Sequence, residues 1–267
     1  MRKGRVLSIL LTTAMAATIF TGCGSNDKSA DASQKADKKK IGIVTMVENG
    51  AFTDMKEGII EELASKGYTS DTATIDYQCA SGDATTLSTI ANNMTDGTYD
   101  MVFTIATPPT QAFVNLESDT PVFFCAVSAP VAAGVLSDMD SPDKNATGTS
   151  NAIPVSDIID LAQSTTPAKK YGLIYSGNED NATNTIKQVE EYLKSKNIEY
   201  VEKTAPTSSD IETAANALIN EGVDAIFVPN DSIIQDGVTK LAEICNEKKI
   251  PTYCSSATTA VSYTHLT

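Results

Sequence analysis

Short, nearly continuous apolar runs alternate along this chain with longer segments whose apolar residues recur every three or four positions. The first kind reads as strands buried on both faces, the second as helices covering them. Lys40 to Met46 opens the series as a strand, and Thr53 to Lys66 follows as a helix with Met55, Ile59, Ile60 and Leu63 on one side, closed by Gly67. Thr74 to Gln78 is the second strand and Asp83 to Met94 the second helix. Met101 to Ala106 is the third strand and stops abruptly at Thr107, where Pro108 and Pro109 mark a helix start with Thr107 as its expected N-cap and Ala112, Phe113 and Leu116 on its buried side. Pro121 to Val127 is the fourth strand. Four strands separated by three helices in strict alternation predict a doubly wound parallel sheet.

Between Ser137 and Ile153 the pattern lapses into a polar stretch containing Pro and Gly, read as the passage to a second lobe. There a new series begins: helix Ser156 to Ser164, strand Tyr171 to Tyr175, helix Asn178 to Ser195, strand Ile198 to Lys203, helix Ser208 to Asn220, strand Val223 to Pro229, helix Asp231 to Lys248, and strand Ile250 to Cys254. Ser176 with Glu179, and Ser209 with Glu212, have the spacing of capping boxes. The expected fold is thus α/β, with two doubly wound parallel-sheet lobes, residues 40–151 and 152–256, whose carboxyl edges face each other across a ligand cleft.

The ends have a different character. Arg2, Lys3 and Arg5 precede an apolar run from Val6 to Phe20, which marks residues 1–22 as an export signal. Residues 23–39 hold no large apolar side chain after Cys23 and are expected to form a solvated tether. The formal charge of −14 deepens to −17 once the three basic residues of the signal are removed. So acidic a body is a poor partner for nucleic acid or for an anionic lipid surface.

Candidate chemistry concentrates at the Thr107 turn. A strand that feeds a helix start at the carboxyl edge of a parallel sheet presents free N–H groups to an anion. The donors are the amides of Thr107, Thr110 and Gln111, with the Thr107 hydroxyl, because the two prolines cannot donate. The expectation is capture of a carboxylate, with an ordinary βα connection that holds no ligand as the alternative. Catalysis finds little support: His265 is the sole histidine, and no nucleophile elbow, Walker or dinucleotide fingerprint occurs. A carboxylate pair such as Glu48 with Asp54 reads as solvated loop acids. Cys79, Cys125, Cys245 and Cys254 show no metal-ligand spacing and read as core thiols, with a Cys245 to Cys254 disulfide as the alternative that export would permit. No metal or cofactor is expected.

Several short motifs, weak singly, occur together in a telling order: Lys40-Ile41-Gly42-Ile43, Asp76-Tyr77-Gln78 with Gly82-Asp83, Ile105-Ala106-Thr107-Pro108 with Gln111, Pro121-Val122-Phe123, Pro130 to Gly134, Asn145-Ala146-Thr147-Gly148, and Val223 to Ile226 with Pro229 and Asp231. Through them residues 40–256 resemble the solute-binding lipoproteins of ABC importers with a type I periplasmic-binding-protein fold, in the branch associated with tryptophan or tyrosine uptake. Phe20-Thr21-Gly22-Cys23 likewise resembles a bacterial lipoprotein signal, with Cys23 as the lipidated residue.

The resemblance implies a monomeric receptor, anchored at the extracytoplasmic face through the lipid on Cys23, that closes on a small amino-acid-like ligand and passes it to a permease driven by a cytoplasmic ATPase. From the first lobe it implies that Glu48, Ala51, Phe52 and Asp54, the Thr107 turn with Thr110 and Gln111, and the loop from Ala126 through Val127 and Ser128 to Ala129 line the cleft. From the second it implies Tyr175, Glu179 and Asn181, with Asn230 and Asp231. Asp231 would take the ligand's ammonium, unless it only caps the helix that follows, and Glu179 is likewise divided between the cleft and its capping box. Phe52 and Tyr175 would frame an aromatic side chain. A sensor for a purine, sugar or signalling molecule is the alternative within this fold, and a surface enzyme the alternative outside it. Ala129, Pro109 and Cys79 depart from the family pattern around the site. After Ala260 the likeness ends where the family continues into elements returning to the first lobe, so residues 257–267 are expected to be a truncated or artificial end.

Overall fold

The computed structural model describes residues 38–256. The export signal, Cys23, most of the tether and residues 257–267 lie outside the described residues. Among the described residues no helix is long and apolar enough to cross a membrane.

The first sheet has strand order β2-β1-β3-β4-β5 and every pairing is parallel. Its strands are β1 (Lys39–Thr45), β2 (Ala73–Cys79), β3 (Met101–Ile105), β4 (Val122–Cys125) and β5 (Ala146–Gly148). Helices α1 (Gly50–Ser65), α2 (Ala84–Met94) and α3 (Thr107–Val114) connect them. Central β1 is apolar on both faces because helices cover both: Ile41 packs with Leu63 of α1, while Val44, on the opposite face, joins Leu87, Ile90 and Met94 of α2 and Phe113 of α3. Gly42 is needed there, since a Cβ would come within 2.7 Å of the Met94 sulfur.

The second sheet has order β7-β6-β8-β9, again all parallel. It comprises β6 (Lys170–Tyr175), β7 (Glu199–Thr204), β8 (Ala225–Val228) and β9 (Thr252–Cys254). One face packs on α4 (Val155–Thr165) and α5 (Asp180–Ser195), where Tyr171, Leu173 and Phe227 meet Ile159, Ile186 and Leu193. The other packs on α6 (Ile211–Asn220) and α8 (Val238–Lys248), where Ile174, Ile226 and Val228 meet Leu218, Leu241 and Cys245. A five-residue helix, α7 (Ser232–Asp236), precedes α8.

Four differences from the sequence reading have local causes. The polar passage after Ser137 contains β5, paired with β4, and Gly148 permits it because any Cβ there would strike the Phe124 carbonyl oxygen. Helix α3 takes Ala106, not Thr107, as N-cap, with no side-chain cap bond. The expected capping boxes are displaced: the observed box is Thr207 with Asp210, on a 3-10 turn at Ser208–Asp210, and Glu179 itself occupies the N-cap position of α5. The helix expected from Asp231 to Lys248 is broken at Gly237, which passes too close to Ile211 and Ser208 for a side chain. All four described cysteines are free thiols, so the Cys245 to Cys254 disulfide does not form.

Candidate functional site

The carboxyl edges of the two sheets meet through identifiable contacts. At the first, the Gln111 amide on α3 donates to Asp180 of α5 (2.9 Å) and to the Ala133 carbonyl (2.9 Å). At the second, the Asn230 amide after β8 donates to the Ser128 hydroxyl after β4 (2.7 Å). Ile233 of α7 is the third, buried in the core cluster of the first lobe beside Val47 and near Gly82.

Along this junction several polar side chains are buried, and some lack partners. Thr107 is 1% exposed and its hydroxyl bonds to nothing, while its place at the first position of α3 leaves its amide without an intrahelical acceptor. Ala106, just before it, adopts φ 78 and ψ 171, a region essentially reserved for glycine. A strained non-glycine backbone at a sheet edge is a common mark of a functional position, and Ala126, the residue that follows β4, also has positive φ (59).

Asn49 caps α1: its Oδ1 accepts from the Phe52 amide (2.9 Å), so its Nδ2 is the buried, unpartnered end, a donor. Asn181, 4% exposed at the start of α5, has the opposite polarity. Its Nδ2 donates to the Asn230 carbonyl (2.6 Å), an arrangement that admits only one orientation of the amide, and Oδ1 is left as an unpartnered acceptor. The unpartnered hydroxyl of Ser255 lies just beyond β9. Buried polar groups are normally bonded, and each exception calls for an explanation.

Two carboxylates are buried beside Asn181. Asp231 is wholly buried and fully engaged: Oδ2 accepts from the Ser176 amide (2.7 Å), and Oδ1 from the amides of Ile233 (3.0 Å) and Ile234 (3.1 Å). It is the N-cap of α7, the alternative role that the sequence allowed. Glu179 reaches the same helix start with one oxygen, Oε1, which accepts from the Ser232 amide (3.0 Å). Burial pushes the Glu179 carboxyl well above the usual carboxylate range, and the adjacent Asp231 charge pushes it further, against the bonds from Ser232 and Asn181. Burial also raises Asp231, but three backbone amides hold that group towards its ionised form. Among the described residues no Lys, Arg or His pairs with either.

The remaining candidates separate into those at the junction and those turned elsewhere. Val127 is buried, and Ser128 bridges Asn230 and Asn151. The Thr110 hydroxyl is spent on the Ala106 carbonyl (2.8 Å) and Thr104 (2.9 Å). Phe52 is packed into the first core, and the Tyr175 hydroxyl donates to Glu202 (3.0 Å) on the edge strand. Asp54 is solvent-exposed on α1. Glu48 is exposed too and lines a cavity of about 340 Å³ between the lobes, with Cys79 and Gly82 facing Pro206, Ser208 and Asp236. Among the described residues no three His, Cys, Asp or Glu side chains gather as a metal centre.

Asn49, Gln235 and Ser255 were not legible as site residues. Asn49 was hidden because the helix starts three residues earlier than its apolar spacing suggests. Gln235, whose Nε2 donates to Asn230 (3.1 Å) and Ser256 (3.3 Å), falls within an apolar helix and carries no signal of its own.

Comparison with known proteins is consistent with this geometry. A "Tyrosine-binding protein" of Clostridioides difficile (strain R20291) is 33% identical over 261 residues, 95% of this chain and 75% of the relative. Among solved structures, a domain from Streptococcus pneumonia in complex with L-Trp is 28% identical and superposes with a TM-score of 0.76, over 83% of this chain and 75% of that one. A ligand-free, open substrate binding protein with adhesive properties from Clostridium difficile is 30% identical, with the same coverages, but gives only 0.56. The fold is that of type I periplasmic binding proteins. The family model for ABC transporter substrate binding proteins matches residues 40–263, and the chain belongs to that family.

Proposed function

We propose that this protein captures an amino acid, aromatic by preference, by closing its two lobes on it, and hands it to an ABC importer as a lipoprotein tethered outside the cytoplasm through Cys23. The observation that carries the reading is the polarity of the unpartnered groups. On the first lobe the orphan is a donor, Asn49 Nδ2, joined by the Thr107 hydroxyl and the α3 amides; on the second it is an acceptor, Asn181 Oδ1, beside the carboxyl of Glu179. A zwitterion fits that division, with its carboxylate towards Thr107 and its ammonium towards Asn181 and Glu179. Asp231, bonded on both oxygens, supports α7 rather than touching the ligand.

The aromatic preference draws on the tyrosine-binding relative and the L-Trp complex. Export and anchoring rest on the signal and Cys23, and the permease and its ATPase on the family. Calorimetric titration with the twenty amino acids, with nucleosides and sugars as controls, tests the reading. Binding of tyrosine, tryptophan or phenylalanine is expected; a folded sample that binds no amino acid overturns it.

A further inference from the structure

Glu179 poses a problem that the capture of a zwitterion solves only in part. It is 4% exposed, one of its oxygens holds the Ser232 amide, and a second carboxylate, Asp231, is engaged on the same helix start. Among the described residues, the groups around it supply no counter-charge. Helix α3 across the junction carries no ionisable residue. On its own helix Asp180 is exposed and accepts from Gln111. Asp236 ends α7 at the outer cavity, and Tyr175 at the end of β6 donates to Glu202. Asp231 is the charge that faces it, and it has the same sign. Two buried carboxylates with no cation between them do not both ionise. Asp231 has three backbone donors, whereas Glu179 has one backbone donor and the Asn181 side chain, so the proton resides on Glu179.

An entering ammonium changes that balance. We propose that ligand capture is coupled to proton release: Glu179 is neutral in the free protein and gives its proton to solvent as the ligand's ammonium settles against it and Asn181. This rests on the amino-acid reading above. In the balanced step the carboxylic acid of Glu179 and the ligand ammonium become a carboxylate–ammonium pair and one proton in bulk water; the ligand keeps all three ammonium hydrogens, and no other bond changes. Glu179 then acts as a selectivity device. A ligand without an amine leaves the acid neutral and gains nothing from it, while a ligand carrying a second carboxylate there meets the like charge of Asp231.

The sign of the pH effect follows. Because the free protein holds the Glu179 proton more tightly than the complex does, affinity rises with pH by up to about tenfold per unit until Glu179 ionises in the free protein, and is level above that. The direction of the shift at Glu179, upward through burial and the Asp231 charge, supports the same sign.

The test is titration calorimetry of the full chain with L-tyrosine and L-tryptophan at one pH below neutrality, in buffers of differing ionisation enthalpy. The slope of observed heat against buffer enthalpy counts the protons. Release of about one proton per ligand is expected. E179Q, which retains an acceptor for Ser232, is expected to bind without proton release and at least roughly tenfold more weakly, and 3-phenylpropionate to bind the wild type weakly with no release. A slope of zero with an amino acid bound overturns the coupling and leaves the amino-acid reading standing. Release that persists in E179Q overturns its assignment to Glu179. Failure of folded protein to bind any amino acid overturns both. The wild-type buffer series decides the coupling even if E179Q does not fold.

Discussion

A threonine hydroxyl and an aspartate carboxylate, both buried where the lobes meet, have opposite consequences for the protein. Thr107 holds its hydroxyl unbonded, which costs stability, whereas each oxygen of Asp231 is matched by backbone amides. Thr107→Val, nearly isosteric, is therefore expected to leave the thermal midpoint unchanged or raise it, while weakening amino-acid binding by about 1 kcal/mol. Calorimetry beside a thermal melt separates the two effects. Asp231→Ala strips three amides of their acceptor and removes the α7 cap, so a loss of about 2–4 kcal/mol is expected in denaturant unfolding, whatever ligand is present. Glu179 adds a pH dependence. Its folded value lies above the unfolded one, so its contribution to stability is full in acid and is lost as pH rises through the raised value. The ligand-free protein should accordingly lose stability as pH rises above the ordinary glutamate range, and E179Q should flatten that slope in melts across pH. The amino-acid sequence marked Glu179 and Asp231 as polar residues at helix starts, but the number of amides that each would meet depends on the path of β6, β8 and α7 in space.

Elements were more legible than the residues that join them. Buried runs such as Ile41 to Val44 and Ala225 to Val228 admit little besides central parallel strands, because both faces must be apolar. Amphipathic stretches such as Ala182, Ile186, Val189 and Leu193 fix the inward face of α5 in the same way. What escaped were elements too short to show a period. Three-residue β5 exists because β4 offers an edge and Gly148 has no side chain to strike the Phe124 carbonyl. Gly148→Ala is expected to displace β5 and cost about 3 kcal/mol, read as a lower denaturation midpoint with an unchanged fold in circular dichroism. Glycine at Gly237 likewise lets α7 and α8 bend against Ile211, which separates the short helix that carries Ile233 from the long one that fills the second core.

At the scale of the whole molecule, the proposed capture depends on how tightly the two sheets are held edge to edge. The hydrogen bonds of Gln111 to Asp180 and of Asn230 to Ser128 join the lobes without touching the orphan groups, so they bias closure rather than recognition. Replacing Gln111 with Ala is expected to shift the free protein towards an open form, enlarging its radius of gyration in X-ray scattering and weakening binding about threefold to tenfold, with little change in melting of the lobes. By itself the sequence determined two parallel α/β sheets in series, the helix faces that cover them, and a proline-led turn at the carboxyl edge of the third strand, because strand and helix periodicities and proline's fixed backbone are local properties. Only the tertiary structure decided that polar atoms of Asn49, Thr107 and Asn181 become buried without partners and that Glu179 is buried beside Asp231, while Phe52, Tyr175 and Asp231 find partners inside their own lobes. That outcome depends on which groups from distant segments arrive within hydrogen-bonding distance, and it is fixed when the two sheet edges are brought together.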